Sequence, residues 1–184
     1  MALCTPLETE DYVVSSMVDV SPTKWHLAHT TWFFETFILK PYLPSYQTFD
    51  SRYAFLFNSY YEQAGARQCR SLRGLATRPT VNEVFTYRSY VDEAVENLCD
   101  MIDDDCQHPA WQRLEMGLHH EQQHQELLLT DIKHVLWTNP LRPTYRNDSA
   151  LSLHTAFQRQ RWEPIEEGLY IIGNAEDQFT FDNE

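Results

Sequence analysis

His120 and His124 stand four residues apart within GLHHEQQHQELLLTDIKH, the stretch from Gly117 to His134. On a helix that spacing puts both imidazoles on one face, about 6 Å apart along the axis, where they can close on a single ion. The competing explanation is a polar helix face that happens to contain histidines. The neighbours favour a metal: His119, Glu121, Gln122, Gln123, Gln125 and Glu126 form the most polar part of a run that is otherwise apolar at Leu114, Leu118, Leu128, Ile132 and Val135. Turned inward without partners, such imidazoles and amides would each cost on the order of a few kcal/mol, and an ion would satisfy them.

A third imidazole is available upstream. His26 and His29 lie one turn apart in SPTKWHLAHTTWFFETF, and spacing alone does not choose between them. A lone histidine on an apolar face is otherwise a core residue bonded to a neighbour. Three neutral imidazoles suit Zn, Cu, Ni or Fe and leave the far side of the ion open to water, substrate and oxygen. Glu126 follows His124 by two residues and is expected to orient an imidazole rather than bind metal. Tyr60 and Tyr61 sit in an aromatic segment that forms a short helix or a packed loop, and packing is their plain explanation. Arg67, Arg70, Arg73 and Arg78 are the one basic cluster, either a solvated surface or a site for a substrate carboxylate. Asp103, Asp104 and Asp105 make an acidic turn, which is either simply solvated or able to hold a hard cation.

The elements that must position these groups are well punctuated. Ser21 as N-cap, Pro22 at the first helical position and Lys40-Pro41 as a stop predict a helix over 22–39. Thr80-Val81-Asn82-Glu83 fits a capping box opening a helix to about Ile102, with Val84, Tyr87, Val91, Val95 and Leu98 as its apolar stripe. A third long helix is expected from Pro109 to about Trp137, closed by Asn139-Pro140. A short helix over Glu10 to Met17, capped by Thr9, precedes them. Gly168 to Gly173 has the pattern of a strand with glycine on both flanks. The expected fold class is mainly α, an antiparallel four-helix-type bundle, with a short severed β segment at the C-terminus.

With 184 residues, the chain holds one sizeable domain and little more. The 14 Lys and Arg against 27 Asp and Glu give a formal charge of −13, which disfavours nucleic acid and anionic membrane and suits a cationic ligand or metal. No apolar run reaches the roughly 20 residues that span a bilayer, and no signal peptide opens the chain. Cys4, Cys69, Cys99 and Cys106 form no C-x-x-C pair, as expected of reduced thiols in a cytoplasmic protein.

SPTKWHLAHTTWFFETF, LFNSYYE, RPTVNEVFTYR and HEQQHQELLLTDIKH, in this order, closely resemble the N-terminal DinB-like domain of the ergothioneine-biosynthesis sulfoxide synthases, the EgtB family. The resemblance covers almost the whole chain. The tail GLYIIGNAEDQFTFDNE resembles the opening of the sulfatase-modifying-factor (formylglycine-generating type) domain that follows in that family. It implies a DinB-like bundle over 1–140, a linker over 141–162 and the truncated start of that second domain over 163–184.

The resemblance further implies Fe(II) held by His29, His120 and His124, which would settle the competition with His26. The family uses O2 to join a cysteine-type sulfur to C2 of the imidazole of hercynine and oxidises the sulfur to a sulfoxide. Gln123 would hydrogen-bond hercynine, Arg70 would take the cysteine carboxylate, and Tyr60 or Tyr61 would donate a proton or hydrogen atom. The paired tyrosines resemble the branch that uses free cysteine rather than γ-glutamylcysteine. Because only the start of the second domain is expected here, a missing C-terminal domain would complete the site, leaving this fragment a weak or inactive enzyme. Two alternatives stand beside this one. A DinB-like Zn- or Ni-dependent thiol transferase would need no O2, and a non-catalytic helical module would keep its histidines for structure.

Overall fold

Every residue of α1, Thr23–Phe34, is buried, and a helix covered all round belongs to the interior. The computed structural model describes residues 1–146, 159–173 and 179–180, and the chain divides into two units, Met1–Arg146 and Asn147–Glu184. In the first unit α1 packs against α2, Tyr53–Phe57, and against the two longest helices, α3, Val81–Ile102, and α4, Ala110–Thr138. The unit is a mainly α bundle, as expected.

Several buried polar groups of α1 have identifiable partners, which is what allows them to be there, although the Trp32 Nε1–H has none among the described residues. Lys24 Nζ donates to the Ala76 and Pro79 carbonyls at 2.7 and 2.8 Å. Thr30 and Thr31 return their hydroxyls to the Leu27 carbonyl, and Trp25 Nε1 donates to the Leu56 carbonyl at 3.1 Å.

Both ends of α1 differ from the sequence expectation. Pro22 takes the N-cap position, because Ser21 is engaged elsewhere: its N–H donates to Asp131 Oδ2 at 2.9 Å and its hydroxyl accepts from Arg73 Nη1 at 3.0 Å. At the other end, Lys40-Pro41 does not stop the chain. A π-helical turn over Glu35–Leu39 intervenes, in which the Lys40 N–H reaches the Glu35 carbonyl five residues back, and helix resumes over Lys40–Tyr42. The same turn places the buried Glu35 carboxylate where it accepts from Tyr46 (2.7 Å), Tyr87 (2.8 Å) and the Phe49 N–H (2.9 Å). One carboxylate thereby ties α1 to α3 and to the intervening loop.

The capping box of α3 is present as expected: the Glu83 N–H donates to Thr80 Oγ1 at 3.2 Å and the Thr80 N–H to Glu83 Oε2 at 2.6 Å. The expected helix over Glu10 to Met17 is instead a 3-10 turn over Thr9–Val13, capped by Glu8 with Asp11. Five residues suffice for it to bury Tyr12 against the bundle, and the chain then turns extended at Val14.

The beginning of the expected linker belongs to the bundle. Arg142 lies 3.8 Å over the Trp137 ring and Tyr145 donates its hydroxyl to the Leu3 carbonyl, both within the first unit. Residues 147–158 of that linker lie outside the described residues, as do 174–178 and 181–184 of the tail. In the second unit the strand expected over 168–173 is not formed; Leu169, Ile171 and Ile172 are exposed. A strand needs a ladder partner, and no described residue of the chain is in a strand. Among the described residues no helix is long and apolar enough to cross a membrane.

One glycine sets how closely α4 approaches α1. A Cβ on Gly117 would lie 2.9 Å from the Phe34 ring and 3.3 Å from Ile38, one turn before His120. Gly117→Val should therefore lower the unfolding free energy by about 2 kcal/mol through overpacking, despite the ordinary helix penalty of glycine. Urea denaturation checks this, and an unchanged midpoint would show that α4 has room to spare.

Candidate metal centre

Three histidines from two helices converge in the first unit. His29 comes from α1, and His120 and His124 come from adjacent turns of α4. Each offers a ring nitrogen, and these three atoms lie within 4.8 Å of one another. The ring centroids are 5.0 Å apart for His29 and His120, 4.6 Å for His29 and His124, and 4.6 Å for His120 and His124. Ligands bound to one ion at about 2.1 Å sit within about 4 Å of each other, so the rings need close by no more than about an ångström. Among the described residues this is the one group of three or more His, Cys, Asp or Glu side chains placed to share an ion. The acidic turn at Asp103–Asp105 is not brought together in that way.

Each ring is held by packing. Trp25 stacks on His29 with centroids 4.6 Å apart and planes 10° from parallel. The Arg73 guanidinium lies 3.5 Å over the Trp25 ring, and Phe33 covers His120 at 4.5 Å.

The hydrogen bonds select the free nitrogens. His29 Nδ1 is 2.5 Å from the Phe57 carbonyl at the end of α2. A carbonyl only accepts, so Nδ1 carries the proton and Nε2 keeps its lone pair. That carbonyl is one of the orphans a helix C-terminus leaves. His120 Nδ1 is buried and has no hydrogen-bond partner among the described residues. An unpaired imidazole nitrogen buried beside two further imidazoles fits a cation better than it fits a packed core.

Burial keeps the rings neutral. It pushes His29 down to about 3, helped by the neighbouring His120, and His120 down to about 4. His124 is depressed further by burial and then by His29, His120 and His26. At neutral pH each ring therefore presents a lone pair, which is the form a metal requires.

The remaining expected residues divide. Tyr61 joins the ring cluster, 6.5 Å from His29 and 6.4 Å from His120 by centroid, with Trp32, Phe33 and Phe37 around it. Burial pushes its phenol up, so it is a neutral donor at pH 7. Tyr60 is 68 % exposed and accepts from Arg70 Nη1 at 3.1 Å, with Arg67 over its ring. Arg70 also donates to the Asp19 carbonyl. Gln123 is exposed on α4 between the two histidines. Glu126 is exposed too, with its backbone carbonyl taken by Thr130. The orienting role expected of Glu126 does not hold, because the helix turns that side chain to solvent. A carboxylate does reach the site, but it is Asp131, through His26.

Arg73 was not distinguished from the rest of its cluster by sequence. It is 5 % exposed, and among the described residues it bonds only the hydroxyls of Ser21 and Ser59 and leaves Nε without a partner. Burial, then the nearby Arg70, pushes its guanidinium down to about 10, still a cation at pH 7. An isolated Arg in RSLRG carries no local signal of this burial.

Comparison with known protein families and with curated proteins finds no match for this chain.

The depressed histidines make a signed prediction for the metal-free protein. Unfolded histidines take up protons as pH falls below about 6.5 while the folded ones do not, so stability falls with pH until the folded values are reached. In urea titrations between about pH 6 and pH 4.5, His120→Leu should show a slope shallower than the unsubstituted protein by about 1 kcal/mol per pH unit. Equal slopes would mean that His120 is as protonated folded as unfolded.

Proposed function

We propose that this chain is the metal-binding helical domain of a non-haem Fe(II)- and O2-dependent sulfoxide synthase, with a DinB-like bundle as its scaffold. The observation that carries this reading is the convergence of His29, His120 and His124, with His120 Nδ1 buried and bonded by no described residue. Three neutral nitrogen donors on one side of an ion suit iron and leave coordination positions free.

His29, His120 and His124 would hold the metal. Bound Fe(II) with O2 would supply the oxidising chemistry that joins a cysteine-type sulfur to C2 of the hercynine imidazole and converts the sulfur to a sulfoxide. The protein's own part is positioning and proton supply. Tyr61, neutral and packed among the rings, is the phenol placed to give up a proton; Tyr60, which faces solvent, is the less suited of the pair. Gln123 lies between the two α4 histidines in sequence and supplies an amide for the substrate imidazole. Arg70 and the buried Arg73 lie in one 3-10 segment, Arg70–Leu75, and offer guanidinium charge to a substrate carboxylate.

Anaerobic loading should give one Fe(II) per chain, with His29→Ala, His120→Ala and His124→Ala each weakening uptake about a hundredfold or more. Supplied with cysteine, hercynine and O2, the iron form should turn over weakly on its own, consuming oxygen only when both substrates are present, and Tyr61→Phe should abolish that activity while Tyr60→Phe changes it far less. Thiol conjugation by a zinc-loaded form without oxygen would contradict the proposal and favour a thiol transferase.

A further inference from the structure

We propose that Asp131 and His26 form a relay that fixes which nitrogen of His124 carries its proton, and so aims the other nitrogen at the metal. The inference deepens the metal-centre reading and rests on it for its effect on affinity. His26 Nε2 lies 2.9 Å from Asp131 Oδ2, and His26 Nδ1 lies 3.0 Å from His124 Nδ1. Asp131 Oδ2 is itself anchored by the Ser21 N–H at 2.9 Å. His26 is 4 % exposed, so water does not stand in for any of these partners.

The chemistry orders the protons. A carboxylate oxygen accepts, so the proton of a neutral His26 sits on Nε2 and its Nδ1 is a lone pair. Two lone pairs cannot face each other at hydrogen-bond distance, so His124 Nδ1 carries the proton and donates it to His26. His124 Nε2 is then the nitrogen left for an ion. His29 obtains the same outcome from the Phe57 carbonyl. Two of the three rings thus present Nε2, each with its Nδ1–H secured by a different device, and groups of this kind typically govern metal affinity by about 10- to 100-fold. His26 is therefore a positioning residue: it would touch a ligand and not the ion.

The proton's place is measured directly in the metal-free protein from two-bond 1H–15N imidazole correlations of His124. The Nδ1–H form is expected in the unsubstituted protein, and an Nε2–H form would overturn the relay; this spectrum needs no variant to fold. His26→Gln keeps an acceptor and a donor in the same order, whereas His26→Phe keeps the shape and removes both. Cobalt(II) titration should show His26→Phe weakened about 10- to 100-fold and His26→Gln within about threefold of the parent, and equal affinity in all three would overturn the proposal. If the unsubstituted protein binds no cobalt, the metal-centre reading fails, while the His124 spectrum still decides the relay.

Discussion

The site turns on one buried imidazole nitrogen, His120 Nδ1, to which no described residue offers a hydrogen bond, beside two further imidazoles. Placing three neutral histidines in a core costs free energy unless something accepts from or bonds to each of them. Two of the rings are secured at Nδ1, one by the carbonyl that ends α2 and one by His26, while His120 Nδ1 is left without a partner among the described residues. An ion shared by the three rings would resolve that deficit at a single point.

The rest of the fold serves that arrangement. The all-round burial of α1 follows from its place between α3 and α4. Gly117 lets α4 come close enough for its histidines to meet His29, and the Trp25 ring, clamped between Arg73 and His29, holds the latter from its other face. Glu35, set by the π-turn, ties α1 to α3 through Tyr87, so the helix that carries His29 is fixed against a second element.

What could be seen in the sequence was local. The Thr80–Glu83 capping box, the extents of α3 and α4 to within a residue or so, and the i, i+4 relation of His120 and His124 depend on neighbours along the chain. The choice between His26 and His29 did not, because it turns on how α1 lies against α4, and only the family resemblance favoured His29. Asp131 and Arg73 escaped for the same reason: each acts across more than fifty residues of sequence. Tyr60 and Tyr61 were indistinguishable as adjacent aromatics, although a loop sends them in different directions. The strand expected over 168–173 rested on an apolar run flanked by glycines, and a local pattern does not supply a partner.

The most direct measurement is X-ray absorption at the iron edge of the Fe(II)-loaded protein. Scattering from three imidazoles with nitrogens at about 2.1 Å is expected, falling to two in His29→Ala. A spectrum with no imidazole pattern, or one that His29→Ala leaves unchanged, would contradict a three-histidine centre.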